Sequence, residues 1–343
     1  MAQNPYYSHF GLKSAERISP RRLLIHLALL LITLCTATIA GVLYPFGRID
    51  DFPAAGADPQ TLGELARVIS LMPMMYSAFI VSVVNNLLTR PDLLVEGLSF
   101  SLSLLFILIC HEMGHYIACR IYRVEATLPF FIPTPPLIGP AGTFGAFIKI
   151  KSPMPSRKAV FDIGVAGPIA GFIALIPIAV LGVSKMQPIP PEQIAAAGSG
   201  MLVFSDPLLM KLVAGLIGID ISFASGNAFY FAAWLGLLVT ALNLIPSGQL
   251  DGGHAIYAVF GEKVHYWTGR IAFVVMASLS VLGMYFYSSP SGLLFAILLA
   301  VMMRIGHPRP WDESPLDTKR KVIAFLTLLI FVLSFTPFPI QIT

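Results

Sequence analysis

Long apolar runs, repeated along the chain, decide more about this protein than any single residue. Spanning a bilayer takes about 20 predominantly apolar residues. Six stretches reach that length, at roughly 23 to 44, 97 to 118, 159 to 183, 228 to 248, 271 to 288 and 322 to 338. A seventh, near 290 to 304, is short. One or two buried cores could not use that much apolar material, and only 12% of the residues are charged against about 25% for a soluble domain. An all-α polytopic membrane protein of about six to seven transmembrane helices is expected.

Residues 66 to 88 stay open between a span and an interfacial helix, because Glu64, Arg67 and Arg90 flank them and Asn85 and Asn86 interrupt their end. With the N-terminus inside and this segment outside, only Arg48, Arg67, Arg90, Lys185 and Lys211 of the 22 basic residues fall outside, so 17 of 22 face the cytoplasm. If the segment spans, the N-terminus goes outside and 15 of 22 remain inside. Every later helix keeps its direction in both arrangements. The first 22 residues lack an apolar core before Leu23, so a retained anchor is expected rather than a cleaved leader. The loop at 185 to 227 is expected outside, with an apolar patch from Pro207 to Ile219. A net charge of +4 spread over short loops argues against a nucleic-acid partner, and Cys35, Cys110 and Cys119 indicate no disulfide framework.

Chemistry gathers at the ends of two apolar segments. Cys110-His111-Glu112-Met113-Gly114-His115 contains H-E-x-x-H. On a helix, His111 and His115 share one face and can clamp a Zn²⁺, with Glu112 beside them to handle water. Without an ion, they would be two interfacial histidines and a snorkelling glutamate, and ionisable groups inside a span are expensive. Cys110 points about 100° away from the ligands and reads as packing. The second stretch, Asn243-Leu244-Ile245-Pro246-Ser247-Gly248-Gln249-Leu250-Asp251-Gly252-Gly253-His254, offers Asp251 as the third ligand. Taken alone it could be an Asp-Gly turn leaving the membrane.

Together the two stretches resemble the site-2 protease family of intramembrane zinc metalloproteases, whose signatures are H-E-x-x-H on one helix and N-x-x-P followed by L-D-G on a later one. The resemblance runs from about Gly97 to His254. It implies one Zn²⁺ per chain held by His111, His115 and Asp251, Glu112 as catalytic base, and Asn243 holding substrate or the oxyanion. An interhelical hydrogen bond is an equally good role for Asn243 on sequence alone.

Between the motifs, four prolines in Leu128 to Pro136 exclude a continuous helix, and Gly142 to Lys151 alternates as a strand does. In the family this position resembles a short re-entrant β-hairpin near the active site. Its open edge could capture an unwound substrate by β-addition, which makes Gly145, Phe147 and Ile148 candidate substrate-binding residues. An ordinary cytoplasmic hairpin is the alternative.

In Asp162-Ile163-Gly164-Val165-Ala166-Gly167-Pro168-Ile169-Ala170-Gly171, the glycines are expected to serve helix packing and Asp162 an N-cap or interhelical bond. His254 could orient a ligand or be structural, whereas His9, His26, His265 and His307 are expected to be interfacial or solvated, and the chain past His254 to hold spans without chemistry.

The expected organisation is an anchor and connecting segment over 1–96, a catalytic transmembrane core over 97–256 and C-terminal transmembrane helices over 257–343. No loop has room for a PDZ module and no nucleotide-binding domain follows the last span, so a compact form is expected. The function expected is intramembrane zinc endopeptidase, acting on a membrane-spanning protein substrate in the lipid bilayer. The location expected is the bacterial inner (cell) membrane, with the site near the cytoplasmic face. A polytopic metal-ion transporter is the alternative from another class, and a catalytically dead scaffold is a third. Oligomeric state is not legible.

Overall fold

The computed structural model describes residues 19–49, 60–190, 192, 202–289, 291–304 and 306–342. The run expected as a retained anchor is described, whereas His9 and part of the connecting segment expected within 1–96 lie outside the described residues.

Helices dominate, and their starts follow local chemistry. Helix α1 (Pro20–Val42) has proline in its first turn and Ser19 as cap. Helix α2 (Leu62–Thr89) is capped by Thr61, which accepts the Glu64 N–H, while the Glu64 carboxylate accepts the Gln60 N–H. This is one unbroken helix through the segment left open between span and interface, with Pro73 inside it. Helix α3 (Pro91–Ile121) also begins on proline.

A hairpin follows. Strand β1 (Phe130–Pro133) pairs antiparallel with β2 (Thr143–Phe147), placing Phe130 opposite Phe147 and Phe131 opposite Ala146. A 3-10 turn at Pro140–Gly142 precedes β2, and Gly142 has a φ of 73°. Glycine is needed there twice over, because a Cβ would also lie 2.3 Å from the Thr36 carbonyl oxygen of α1. The hairpin is thus pressed onto α1, and Thr36 Oγ1 donates to Gly142 O at 2.7 Å. His26, expected to be interfacial or solvated, instead bonds through Nδ1 to the Pro129 carbonyl at 2.9 Å and lies over Phe130.

Helix α4 (Arg157–Ser184), capped by Ser156, is the most enclosed of the long helices. Short strands β3 (Gln187–Pro188) and β4 (Leu202–Phe204), helix α5 (Leu208–Ile217) and strand β5 (Ala224–Ser225) come next. The apolar patch expected in this loop is α5. Asn227 caps helix α6 (Ala228–Leu244) by accepting two backbone N–H groups, and its own amide donates to Gly182 O of α4. Helices α7 (Asp251–Phe260), α8 (Glu262–Tyr287), α9 (Ser291–Met302) and α10 (Thr318–Ser334) complete the bundle, and strand β6 (Ile340–Ile342) pairs back onto β4.

Among the described residues, five helices, α1, α2, α3, α4 and α8, are long and apolar enough to cross a membrane. The chain is an integral membrane protein of polytopic all-α type, with small two-stranded sheets. The stretch expected to span at 228 to 248 ends as helix at Leu244, because Pro246 and Gly248 break it. The main core joins Phe100, Leu104 and Ile107 of α3 to Leu175 and Ala179 of α4 and to Ala233, Trp234 and Leu237 of α6. These three helices carry the residues of greatest interest.

Candidate metal centre

A helix repeats its faces every 3.6 residues, so His111 and His115 stack one turn apart on α3. Both are buried, and their Nε2 atoms stand 3.1 Å apart. Asp251 opens α7 after a reversal in which Gly248 takes a φ of 54°. That reversal is tight: a Cβ on Gly252 would lie 2.0 Å from the Leu244 carbonyl oxygen of α6. Its effect is to bring Asp251 Oδ2 to 3.3 Å from His111 Nε2 and 3.4 Å from His115 Nε2.

Two donors each about 2.0–2.2 Å from a tetrahedral zinc stand roughly 3.3–3.6 Å apart. The observed triangle of 3.1, 3.3 and 3.4 Å is close to that size, and the donor set of two imidazoles and a carboxylate suits the ion. The tautomer suits it as well. His115 Nδ1 is 2.7 Å from the Ile163 carbonyl of α4 and must donate to it, which leaves the Nε2 lone pair for a metal.

Glu112 is buried beside this triangle without joining it, and the main-chain N–H of Ile148, just past β2, faces its carboxylate. Asn243, in the last turn of α6, brings its amide Nδ2 to 3.3 Å from His111 Nε2. Gly145 and Phe147 lie on β2, and β2 has β1 as its one partner among the described residues. A Cβ on Gly145 would meet nothing within 4 Å, so the space beside this strand is open.

The glycines of α4 do more than pack helices. Gly164, Gly167 and Gly171 fall on one helix face by their spacing, and imidazoles occupy the space their side chains would fill. A Cβ on Gly167 would be 2.0 Å from His115 Nε2, one on Gly171 would be 3.1 Å from His111 Cβ, and one on Gly164 would be 2.7 Å from His254 Cβ. The expectation that they serve helix packing is incomplete, because Gly167 and Gly171 make room for the candidate ligands His115 and His111.

The expectation of an interhelical bond for Asp162 holds, while the cap of α4 is Ser156. Arg320 of α10 binds the Asp162 carboxylate in bidentate fashion, at 2.9 Å through Nε and 2.6 Å through Nη2, and Tyr122 Oη donates to it as well. This pair ties the end of α3 and the start of α4 to α10.

The expectation that His265 and His307 are interfacial or solvated is corrected. His265 is buried and bonds to Gly248 O at 2.9 Å, on the turn before Asp251. His307 stacks face to face on Tyr257 at 4.0 Å and sits 2.7 Å from His254 Nδ1 through its Nε2. Burial keeps both imidazoles below the usual histidine range, His254 at about 4 and His307 at about 3, so they are neutral at pH 7. No periodicity links positions 254, 265 and 307, so sequence carried no signal for this cluster.

Residues 99–283 match the family model for Peptidase family M50. Among curated proteins, the chain is 30% identical over 247 residues to the probable zinc metalloprotease EGY1, chloroplastic, of Arabidopsis thaliana, covering 70% of this chain and 43% of that protein. It is 30% identical over 293 residues to the protein of the same name from Oryza sativa subsp. japonica, covering 80% and 47%. Against the probable zinc metalloprotease EGY2, chloroplastic, of Arabidopsis thaliana, the figures are 28% over 288 residues, 81% and 47%. The chain thus spans under half the length of these relatives.

Proposed function

The chain belongs to peptidase family M50, and from that premise we propose that it is a zinc metalloendopeptidase hydrolysing peptide bonds in or near membrane-spanning segments of protein substrates. The single observation that carries the reading is the His111–His115–Asp251 triangle with a buried glutamate beside it, inside a bundle of span-length helices. The relatives' names state zinc, and the donor set fits that ion.

Zinc bound to these three residues supplies a Lewis acid that acidifies water and polarises a carbonyl. Glu112 takes a proton from the attacking water and passes it to the leaving amine. Asn243, whose amide reaches the edge of the donor triangle, donates a hydrogen bond to the oxygen that gains charge. The unpaired edge of β2 suits an extended substrate segment, with Gly145 leaving room for its backbone and Phe147 and Ile148 flanking it.

The basic residues gathered on one side support a site near the cytoplasmic face. The relatives named above are chloroplastic, so they lend no support to the bacterial inner (cell) membrane expected from the sequence. The transporter alternative finds no support: the imidazoles sit toward one end of α3, and a base beside the donors serves hydrolysis rather than transport.

The deciding measurement is metal analysis of purified protein beside cleavage of a reporter with a single membrane span. About one zinc per chain and a cleaved reporter are expected, with His111→Ala losing both. A His111→Ala protein that keeps its zinc and cuts the reporter refutes the reading. For Asn243, alanine is expected to lower kcat by about 10²–10³ with zinc content unchanged, the size of effect that losing an oxyanion donor produces. An unchanged kcat would leave it the interhelical role.

A further inference from the structure

Asp251 stands at the start of a short helix with little stability of its own. Helix α7 has 10 residues, lacks a side-chain cap at its N-terminus, and is framed by Gly248, Gly252, Gly253 and Gly261, of which Gly248 and Gly261 have positive φ. A helix this short is marginal by itself. A metal site tolerates donor errors of only about 0.2 Å. Something outside α7 must therefore hold Asp251 in place.

The segment over 306–317, between α9 and α10, is bound to α7 and its approach at successive points. Gln249 Nε2 donates to Gly306 O at 2.9 Å, just before Asp251. His307 meets His254 at 2.7 Å, three residues after Asp251, and stacks on Tyr257 one turn further on. Arg309 pairs with Glu262 at 2.7 Å at the start of α8. The far part of the segment is fixed to the entry of α4: Trp311 N donates to Met154 O, Asp312 N to Pro155 O, and Arg157 N to Asp312 O. On its opposite side His254 lies against Gly164.

The protons in this contact are determined. His307 Nδ1 lies 2.8 Å from the Pro308 carbonyl and must donate to it, so its Nε2 is an acceptor. His254 Nδ1 must then be the donor. The contact has a single polarity and depends on an acceptor at residue 307.

We infer that His307, on the strap between α9 and α10, is a positioning residue for the metal ligand Asp251, acting through His254 on α7. This rests on the zinc reading above and goes beyond it, because the strap lies past residue 283, outside the stretch matched by the family model.

The test uses the full-length protein in detergent, stripped of metal and titrated with zinc against a chromogenic chelator. His307→Phe keeps a ring on Tyr257 but removes the acceptor, and it is expected to weaken zinc binding by about 10-fold, the low end of what losing a partner directly behind a metal ligand costs, because His307 acts through His254. His307→Gln restores an acceptor and is expected to bind within about threefold of the parent protein, well short of that loss. Arg309→Ala removes an exposed ion pair that contributes little by itself and does not touch His254, so affinity is expected to stay within about twofold of the parent. At saturating zinc, the kcat of His307→Phe should return toward that of the parent.

A purely structural role would lower thermal stability equally in all three variants and leave zinc affinity alone. Zinc affinity of His307→Phe within about twofold of the parent, or equal weakening in the Phe and Gln variants, overturns the inference. His111→Ala is titrated in parallel. If it binds zinc as the parent does, the zinc reading itself has failed; if it does not, a null result at His307 counts against the strap alone.

Discussion

Gly167→Ala is expected to yield a folded protein that holds less than about a tenth of the parent's zinc and cleaves nothing. The added methyl would stand 2.0 Å from His115 Nε2. Ordinary contact is roughly 3.5 Å, so the imidazole or the helix must move by about 1.5 Å. Donor positions in a metal site are tolerated to about 0.2 Å, so a shift several times larger removes the ligand from the ion. Neither partner can give way cheaply. His115 is held on its other nitrogen by Ile163 O, and α3 and α4 approach so closely that a Cβ on Gly114 would lie 2.4 Å from Ala166 O. Alanine is otherwise a better helix former than glycine, so helix content should not fall. Gly215→Ala on α5, where a Cβ meets nothing within 4 Å, is the matched comparison and should retain full zinc. Zinc content and far-ultraviolet circular dichroism of the two variants decide the matter. Stoichiometric zinc in Gly167→Ala would mean that His115 does not bind the ion through Nε2.

The second large effect separates metal from chemistry. Glu112→Gln is expected to leave zinc near one per chain while cleavage falls by about 10²–10⁴, the usual contribution of a positioned base. Glutamine matches glutamate in shape and can still take part in a hydrogen bond near Ile148, so the hairpin should stay where it is. What it cannot do is accept a proton from water at neutral pH. Glu112 is outside the donor triangle, so metal content has no reason to change. Single-turnover cleavage of the reporter beside metal analysis gives both quantities. Undiminished cleavage by Glu112→Gln would eliminate this residue as the base and the proposed chemistry with it.

Legibility in the sequence followed the range of the interaction. His111 and His115 were readable because four residues of helix place two side chains on one face whatever else the chain does. The helix starts at Thr61, Ser156 and Asn227 are local in the same sense, since a cap bonds to a backbone N–H two or three residues away. The end of α6 at Leu244 came out shorter than its apolar run, because a proline and a left-handed glycine override hydropathy within a few residues. Asp251 stood out as a candidate third ligand at the end of another apolar stretch, but spacing gives no distance between residues 111 and 251, so their meeting was decided by the fold.

Apolar length and charge scarcity committed the chain to a membrane, and one helical repeat placed the two imidazoles together; both depend on nothing beyond neighbours in sequence. The folded structure alone decided that Gly167 makes room for a ligand, that Arg320 reaches Asp162 across 158 positions, and that His307 closes on His254. Those contacts depend on where helices cross, and crossings are set by the joint packing of every face in the bundle, for which no single segment carries a periodic signal.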